Sequence, residues 1–301
     1  MYLNLDPSVL GISGRQSELI ELALTYGFKG LDLDVIQLAR QVDLHGYEHA
    51  TRYIESAGIR IGVFDLSVRW QGGDGEFQED LERLAKLGEI VARLGTTGCR
   101  TVVMPASDEL PYHENFEFHR QRFTKIAEVL APHSLRLGLD FLASATHRDE
   151  KKHQFIHSPD ALVTLAKTVG VSNVGISVDT WQWQVAGASW DSLKELTADE
   201  IVSVRAADLP QGMTNDTIDD EQRVLTSSQG NVNIQSILQQ LSSIGYEGPI
   251  TPFPHPNQLS GKKRDTIVRM AAESVTMIET TSSEIEENIE DSVPAAVVSS
   301  G

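Results

Sequence analysis

The stretch "SPDALVTLAKTVGVSNVGISVDTWQW", residues 158–183, contains one helix, one strand and a polar strand end in that order. Ser158 predicts the start of the helix, and Gly170 predicts its end. The apolar run over 174–178 has the length and composition of a strand that is buried on both faces, as in a parallel sheet. Asp179 follows this strand directly. The same order of elements recurs along the chain and decides the fold class.

Strand-like apolar runs alternate with amphipathic helical stretches from one end of the chain to the other. The predicted strands cover residues 2–5, 29–35, 59–68, 99–106, 135–142, 174–179, 201–208 and 248–253. The clearest helical patterns cover 76–95, 116–133, 158–170, 233–246 and 264–279. Such alternation predicts βαβ units around a parallel sheet. Eight units in 301 residues predict the α/β class and a single (β/α)8 TIM barrel, which we place at residues 1–280.

Composition excludes some function classes and indicates a compartment. The formal net charge is −18 without a cluster of Lys or Arg, so we expect no nucleic-acid partner, because such binding needs a basic surface. No window has the ~20 apolar residues of a membrane span, and from the first residues we expect no secretory signal. The single Cys99 is expected in the core and is typical of a cytoplasmic protein. The acidic, Ser-rich residues 281–301 predict a disordered tail.

Polar and aromatic side chains follow several predicted strands, at the carboxyl ends where a TIM barrel carries its active site. The candidates are Asp65, Arg69 and Trp70 after the third strand, Asp140 on the fifth, Asp179, Trp181, Gln182 and Trp183 on the sixth, Arg205 and Asp208 on the seventh, Arg223 in the following loop, and Phe253 and His255 after the eighth. Their convergence on one rim predicts a pocket for a small molecule. For Trp181 and Trp183, packing at the barrel rim is an equally good interpretation.

Several motifs resemble those of the sugar phosphate isomerase/epimerase family, the xylose isomerase-like TIM barrels, over residues 1 to about 280. They include "VRWQGGDGEFQEDLERL" (68–84), "LRLGLDFL" (135–142), "VDTWQW" (178–183), "VRAADLP" (204–210) and "GYEGPITPFPHP" (245–256). The resemblance implies a sugar isomerase or epimerase with a divalent cation, namely Mn, Mg, Zn or Co. In that family the cation is bound by Glu on strand five, Asp-x-x-His on strand six, His-x-x-Asp on strand seven and Glu on strand eight.

This sequence departs from the family pattern at several of those positions. Asp140 stands at the first Glu, Asp179 and Asp208 are kept, Gln182 and Arg205 stand at the two His, and Phe253 stands at the final Glu. A guanidinium does not deprotonate, so Arg205 places a permanent positive charge where the cation would bind. We therefore expect the metal site to be absent or weakened, with Arg205 paired to Asp140 or Asp179. A rearranged site that uses His147, His153, His157 or His255 stays open.

Three functions are consistent with these residues. In the first, the chain is an isomerase or epimerase of a small sugar or keto-sugar, with Asp140 and Asp179 as proton carriers. Seven of the other candidates then contact the substrate: Trp70, Trp181, Trp183, Arg205, Asp208, Arg223 and His255. In the second, it is a catalytically inactive relative that binds a small carbohydrate without metal. The third, a DNA-repair endonuclease on the same barrel, needs zinc ligands and a basic groove that the sequence does not offer. The oligomeric state is left open.

Overall fold

A computed structural model describes residues 1–213 and 218–275, and within them eight parallel strands form a barrel. The strands are β1 (Tyr2–Leu5), β2 (Gly30–Leu31), β3 (Arg60–Ile61 and Val63–Asp65), β4 (Gly98–Val103), β5 (Arg136–Phe141), β6 (Val174–Asp179), β7 (Ile201–Ala206) and β8 (Pro249–Pro252). The first segment of β3 pairs with β2 and the second pairs with β4, and β1 pairs with β8, so the ring closes. The predicted TIM barrel is confirmed.

Helices surround the barrel and alternate with its strands. They are α1 (Gln16–Thr25), α2 (Val35–His45), α3 (Tyr47–Ala57), α4 (Asp74–Ala92), α5 (Tyr112–Leu130), α6 (Pro159–Val169), α7 (Thr180–Val185), α8 (Asp191–Lys194), α9 (Ile234–Ser243) and a helical stretch over 264–275. Helix α6 starts after Ser158 and stops at Gly170, which has a left-handed φ of 79°, as the sequence predicts. The predicted tail over 281–301, and the end of the barrel at 280, lie outside the described residues.

The core forms where the apolar faces of these helices meet the outer face of the barrel. On α4, Phe77, Leu84 and Val91 recur at helical spacing and are almost fully buried. Burying one such side chain contributes roughly 1.5–3 kcal/mol, so the pattern that predicts the helix also fixes its orientation. Cys99 on β4 is buried, as expected, and burial raises the pKa of its thiol. Within the described ranges, no helix is long and apolar enough to cross a membrane.

Gly62 separates the two segments of β3 and makes room inside the barrel. A Cβ atom at this position would collide with the side-chain oxygens of Asn4 and Asp32. Asn4 Nδ2 donates to Asp32 Oδ1 over 2.9 Å and to Thr251 Oγ1 over 3.0 Å. The barrel interior near β1, β2 and β8 is therefore filled by polar side chains that only a glycine on β3 allows to approach.

Candidate functional site

Asp140 on β5 and Arg205 on β7 meet inside the barrel across β6. Arg205 Nη1 donates to Asp140 Oδ2 over 3.3 Å, and Asp140 Oδ1 accepts from the N–H of Phe141 over 2.8 Å. Both side chains are buried. Burial, and after it the charge of Asp179, raises the pKa of Asp140 to about 7, while Arg205 opposes the shift. The expected ion pair of Arg205 with one of the two aspartates is present.

Asp179, at the end of β6, takes a different arginine. Its Oδ1 accepts from the N–H groups of Trp181 and Gln182, at 3.0 and 3.2 Å, and so caps α7. Its Oδ2 accepts from Arg223 Nη1 over 2.6 Å. Arg223 also donates to Asp220 Oδ1 over 3.2 Å, and Asp220 Oδ2 lies 2.5 Å from His147 Nε2. Both oxygens of Asp179 are therefore occupied by protein donors.

Phe253, after β8, lies beneath both guanidinium groups. The guanidinium carbon of Arg205 is 4.0 Å from the ring centroid, and that of Arg223 is 5.0 Å from it. Arg223 also lies over the ring of Trp181, at 4.5 Å. The faces of aromatic rings attract cations, and they do so more strongly where water is excluded. The two arginines are thus held by carboxylates on one side and by aromatic faces on the other.

Gln182 and Asp208 hold loops in place. Gln182 Oε1 accepts from the N–H of Ala143 over 2.7 Å, and its Nε2 lies 3.4 Å from Asp220 Oδ1. Asp208 Oδ1 accepts from three backbone N–H groups, those of Leu209, Asn231 and Val232, at 2.7, 3.0 and 3.0 Å. Burial raises the pKa of Asp208, and these hydrogen bonds oppose the shift.

We call the carboxyl ends of β5–β8, with Asp140, Asp179, Arg205 and Arg223, the closed half of the mouth.

The predicted aromatic contacts are largely buried in packing. Trp70 donates through Nε1 to Thr101 Oγ1 over 3.0 Å and packs edge-on against His119 and Phe123. Trp181 and Trp183 are fully buried, and Trp183 stacks on Trp190 with 5.2 Å between ring centroids. The described structure thus gives packing roles to all three tryptophans, and their roles as substrate contacts stay predictions.

His255 takes part in a local turn. It is partly exposed, and its side chain accepts from the N–H of Asn257 over 3.3 Å, which caps the turn Pro256–Leu259. Its backbone N–H donates to the carbonyl of Arg223 over 3.0 Å. His255 therefore touches the closed half through the backbone of Arg223, and a contact of its ring with a substrate stays a prediction.

A cavity of about 900 Å³ lies at the other side of the mouth, at the carboxyl ends of β1–β4. Arg100 on β4 is its charged centre. Its Nη2 donates to Asp6 over 3.1 Å and its Nη1 to Asp32 over 3.3 Å, while its Nε makes an ion contact of 2.8 Å with Asp65 that lacks hydrogen-bond alignment. Asp65 is 78% exposed, whereas the side chains of Asp6, Asp32 and Arg100 are buried. We call this region, with Asp6, Asp32, Asp65 and Arg100, the open half.

Asp65 also connects the two halves. Its Oδ1 lies 3.9 Å from Arg205 Nη2, so a chain of charges runs from Asp32 through Arg100, Asp65 and Arg205 to Asp140. In the open half, burial and then the charge of Asp6 raise the pKa of Asp32 to about 7, against the opposing effect of Arg100.

Sequence reasoning missed Asp6, Asp32 and Arg100. The rule that selected Asp140 and Asp179 also applies to Asp6 and Asp32, because each directly follows a strand. Arg100 stands inside β4 between Cys99 and Thr101, and no local signal shows that it faces the barrel interior.

Comparison with known proteins decides the family. The family model described as xylose isomerase-like TIM barrel matches residues 20–273. The chain belongs to this family. No curated protein sequence matches the chain.

Solved structures of xylose isomerase-like barrels share the fold. A xylose isomerase domain protein from Alicyclobacillus acidocaldarius is 22% identical with a TM-score of 0.84, over 94% of this chain and 99% of that one. The IolI protein with a bound zinc atom is 15% identical with a TM-score of 0.77, over 93% and 99%. D-psicose 3-epimerase in the presence of D-fructose is 12% identical with a TM-score of 0.70, over 94% and 99%. At these identities the likeness shows the fold alone.

The family resemblance implies a divalent cation bound by side chains of the closed half. Such a cation needs several ligand atoms with free lone pairs. Here Asp140 and Asp179 each accept from a backbone N–H and from a guanidinium, and the carbonyl oxygen of Gln182 accepts from Ala143. Asp208 faces the loop over 224–232. As folded, these positions do not fit a divalent cation. Over 1–213 and 218–275, no cluster of three or more His, Cys, Asp or Glu side chains is arranged for metal binding.

Proposed function

We propose that this chain binds a small carbohydrate or keto-sugar in the open half of the barrel mouth, and that binding does not require a divalent cation. The observation that carries the proposal is the cavity itself. At about 900 Å³ it falls within the range of small-molecule pockets, roughly 300–1,000 Å³. Membership of a family that includes sugar-acting structures, such as D-psicose 3-epimerase, supports the ligand class.

The chemistry of the cavity wall suits a polyol. Exposed Asp65 offers a carboxylate to sugar hydroxyl groups, and such charge-assisted hydrogen bonds contribute about 1.5–3 kcal/mol. Ile12, Leu19 and Phe64 supply apolar wall next to it, which the C–H faces of a sugar can cover. The wall carries both acidic and basic side chains, among them Asp34, Arg15 and Arg52. A neutral ligand with many hydroxyl groups matches this mixture better than a strongly charged one.

Ligand titration tests the proposal. Purified protein in EDTA is titrated calorimetrically with D-psicose, D-fructose, D-tagatose and a set of pentoses. Asp65→Ala is compared with Asp108→Asn, a control whose exposed carboxylate pairs with Lys151 away from the cavity. We expect one class of sugar to bind without metal, at least about tenfold weaker binding in Asp65→Ala, which corresponds to 1.4 kcal/mol, and no change in Asp108→Asn. Binding that appears only with added Mn²⁺, or no binding at all, contradicts the proposal.

A second candidate is catalysis of isomerisation or epimerisation, with Asp140 and Asp179 as proton carriers. The raised pKa of Asp140, about 7, favours it, since a general acid or base is most effective when its pKa is near the working pH. Neither carboxylate lines the cavity, so binding is the function that the geometry supports better. Incubation of each sugar with the wild type and with Asp140→Asn, followed by chromatography of the products, separates the two candidates.

The location of the protein, its partners and its oligomeric state are further predictions from the sequence. A cytoplasmic location, the lack of nucleic-acid and membrane partners, and self-association as a homo-oligomer stay predictions. Size-exclusion chromatography with light scattering measures the last of these directly.

A further inference from the structure

We propose that Arg205 and Arg223, held over Phe253, form a built-in replacement for a divalent cation. Together they supply two fixed positive charges to Asp140 and Asp179 and keep metal ions out of the closed half. The inference concerns the half of the mouth opposite the cavity, and it holds whichever ligand the cavity binds.

Asp140 and Asp179 of the closed half each pair with one arginine. Asp140 receives Arg205 at 3.3 Å and Asp179 receives Arg223 at 2.6 Å. Two guanidinium groups carry the same total charge as one divalent cation, and a guanidinium stays protonated even where burial lowers its pKa, as it does for Arg205. Burying two carboxylates without any cation would be costly. The arginines offset part of that cost without a metal, since the charge of Arg205 opposes the rise in the pKa of Asp140.

Arg205 does not pair with the aspartate that lies beside it on the adjacent strand. Arg205 is in direct register with Asp179 on the adjacent strand β6. It nevertheless donates to Asp140, two strands away, and leaves Asp179 to Arg223 from the loop after β7. This distribution gives Asp140 and Asp179 one arginine each, whereas a register pair would leave Asp140 without Arg205.

Phe253 links the two arginines. Its ring lies 4.0 Å from the guanidinium of Arg205 and 5.0 Å from that of Arg223. An acidic side chain at this position would add a third negative charge, for which this site has no further cation. The aromatic ring instead offers an apolar surface that attracts both guanidinium groups.

Gln182 supports the second arginine indirectly. Its Nε2 lies 3.4 Å from Asp220 Oδ1, the same oxygen that accepts from Arg223 Nη2 over 3.2 Å. Its Oε1 ties Ala143 to α7. Gln182, Arg205 and Phe253, which stand where the resemblance implies metal ligands, thus serve one arrangement and are best explained together.

The decisive experiment exchanges all three positions. Wild type and the triple variant Gln182→His/Arg205→His/Phe253→Glu are titrated with Mn²⁺, Co²⁺, Zn²⁺ and Mg²⁺, with thermal unfolding and elemental analysis as readouts. We expect no saturable rise in melting temperature for the wild type, and a saturable rise with near-stoichiometric metal content for the triple variant. The control Arg205→Lys keeps the charge and should take up no metal. A wild type that binds metal at the closed half, shown by loss of uptake in Asp179→Asn, overturns the inference, as does a folded triple variant that stays metal-free.

A double-mutant cycle decides the matter if the triple variant does not fold. Arg205→Gln is made alone and together with Asp140→Asn, and unfolding is followed in urea. We expect the loss of stability caused by Arg205→Gln to be much smaller when Asp140 is already replaced, since the charge that needs neutralising is then absent. Equal losses in both backgrounds overturn the inference. No readout involves a carbohydrate, so failure here and failure of the proposed function are separate outcomes.

Discussion

The two halves of the barrel mouth use the same residue types in opposite ways. In the closed half, Asp140 and Asp179 are buried and each has its own arginine. In the open half, Arg100 is the close cation of Asp6, Asp32 and Asp65, while Arg205 lies at a longer 3.9 Å from Asp65. One cation for three carboxylates leaves unsatisfied negative charge, and one of these carboxylates stays in solvent beside the cavity. The ratio of arginines to aspartates, more than the presence of either, therefore separates a sealed site from an accessible one.

The strongest test of this contrast is the removal of an arginine from the closed half. Arg223→Ala should lower the free energy of unfolding by about 3–5 kcal/mol, because it leaves Asp179 buried without a counter-charge. Arg205→Ala should have a similar effect through Asp140. Urea unfolding at pH 7 measures both. Arg269→Ala, which removes an exposed pair with Glu273, is the matched control and should cost about 0.5 kcal/mol or less. Losses as small as that control would show that the closed-half pairs are not effectively buried.

A pH series examines the shared arginine of the open half. The pKa of Asp32 is raised from 3.8 to about 7, so the folded protein keeps a proton that the unfolded chain has released. Stability should therefore fall as pH rises from about 4 to about 7, by on the order of 1 kcal/mol per pH unit. Asp32→Asn should flatten this slope. Asp140 contributes with the same sign, so some slope should remain.

The control for that series is Asp108→Asn. The pKa of Asp108 is lowered, mainly by a hydrogen bond from Lys151, so its contribution to stability is lost only as pH falls below the window. Its substitution should leave the slope between about pH 4 and 7 unchanged. If wild type and Asp32→Asn show the same slope, Asp32 is ionised in the folded protein and the open half is better neutralised than one arginine suggests.

The substitution Trp70→Phe tests whether Trp70 contacts the carbohydrate or only packs in the protein. Trp70→Phe removes the hydrogen bond to Thr101 and keeps most of the packing, so we expect a loss of about 1 kcal/mol. The affinity for the carbohydrate should not change, as measured by the same calorimetric titration. A tenfold loss of affinity would instead return Trp70 to the substrate contacts that the sequence predicts.

The smallest effect is expected for the exposed carboxylate of the open half. Asp65→Ala should change the free energy of unfolding by about 0.5 kcal/mol, since Asp65 is largely in solvent and exposed pairs contribute little. Asp140→Ala, which removes the other partner of Arg205, should cost several times as much. Comparable losses in urea unfolding would mean that Asp65 is an essential link between the two halves and not an accessible ligand contact.

Local patterns were sufficient for the barrel itself. The apolar strands, the helical periods and the signals at Ser158 and Gly170 predict elements that the structure confirms. The predicted strands over 29–35 and 59–68 are too long, since β2 covers only Gly30–Leu31 and β3 is interrupted at Gly62. The residues that follow these two strands have a strand-like sequence, although in the structure they lie outside the strands, at the mouth of the barrel.

The roles of the tryptophans were not decided by the sequence. A tryptophan after a barrel strand can cover a sugar or fill the space between helices, because the same ring serves both purposes. Burial distinguishes them, and the burial of Trp181 and Trp183 depends on α7 and on neighbours such as Arg223 and Trp190. Those neighbours are brought there by tertiary folding.

The sequence by itself determined that aspartates and arginines would gather at one end of a (β/α)8 barrel, because strand order and residue type place them there. Only the tertiary structure decided which charges pair. Arg205 takes Asp140 across β6, Arg223 takes Asp179 from a loop, and Arg100 reaches Asp6, which is 94 positions away in the chain. Pairing is set by distances of about 3 Å between buried side chains, and such distances exist only once the strands have closed into a ring.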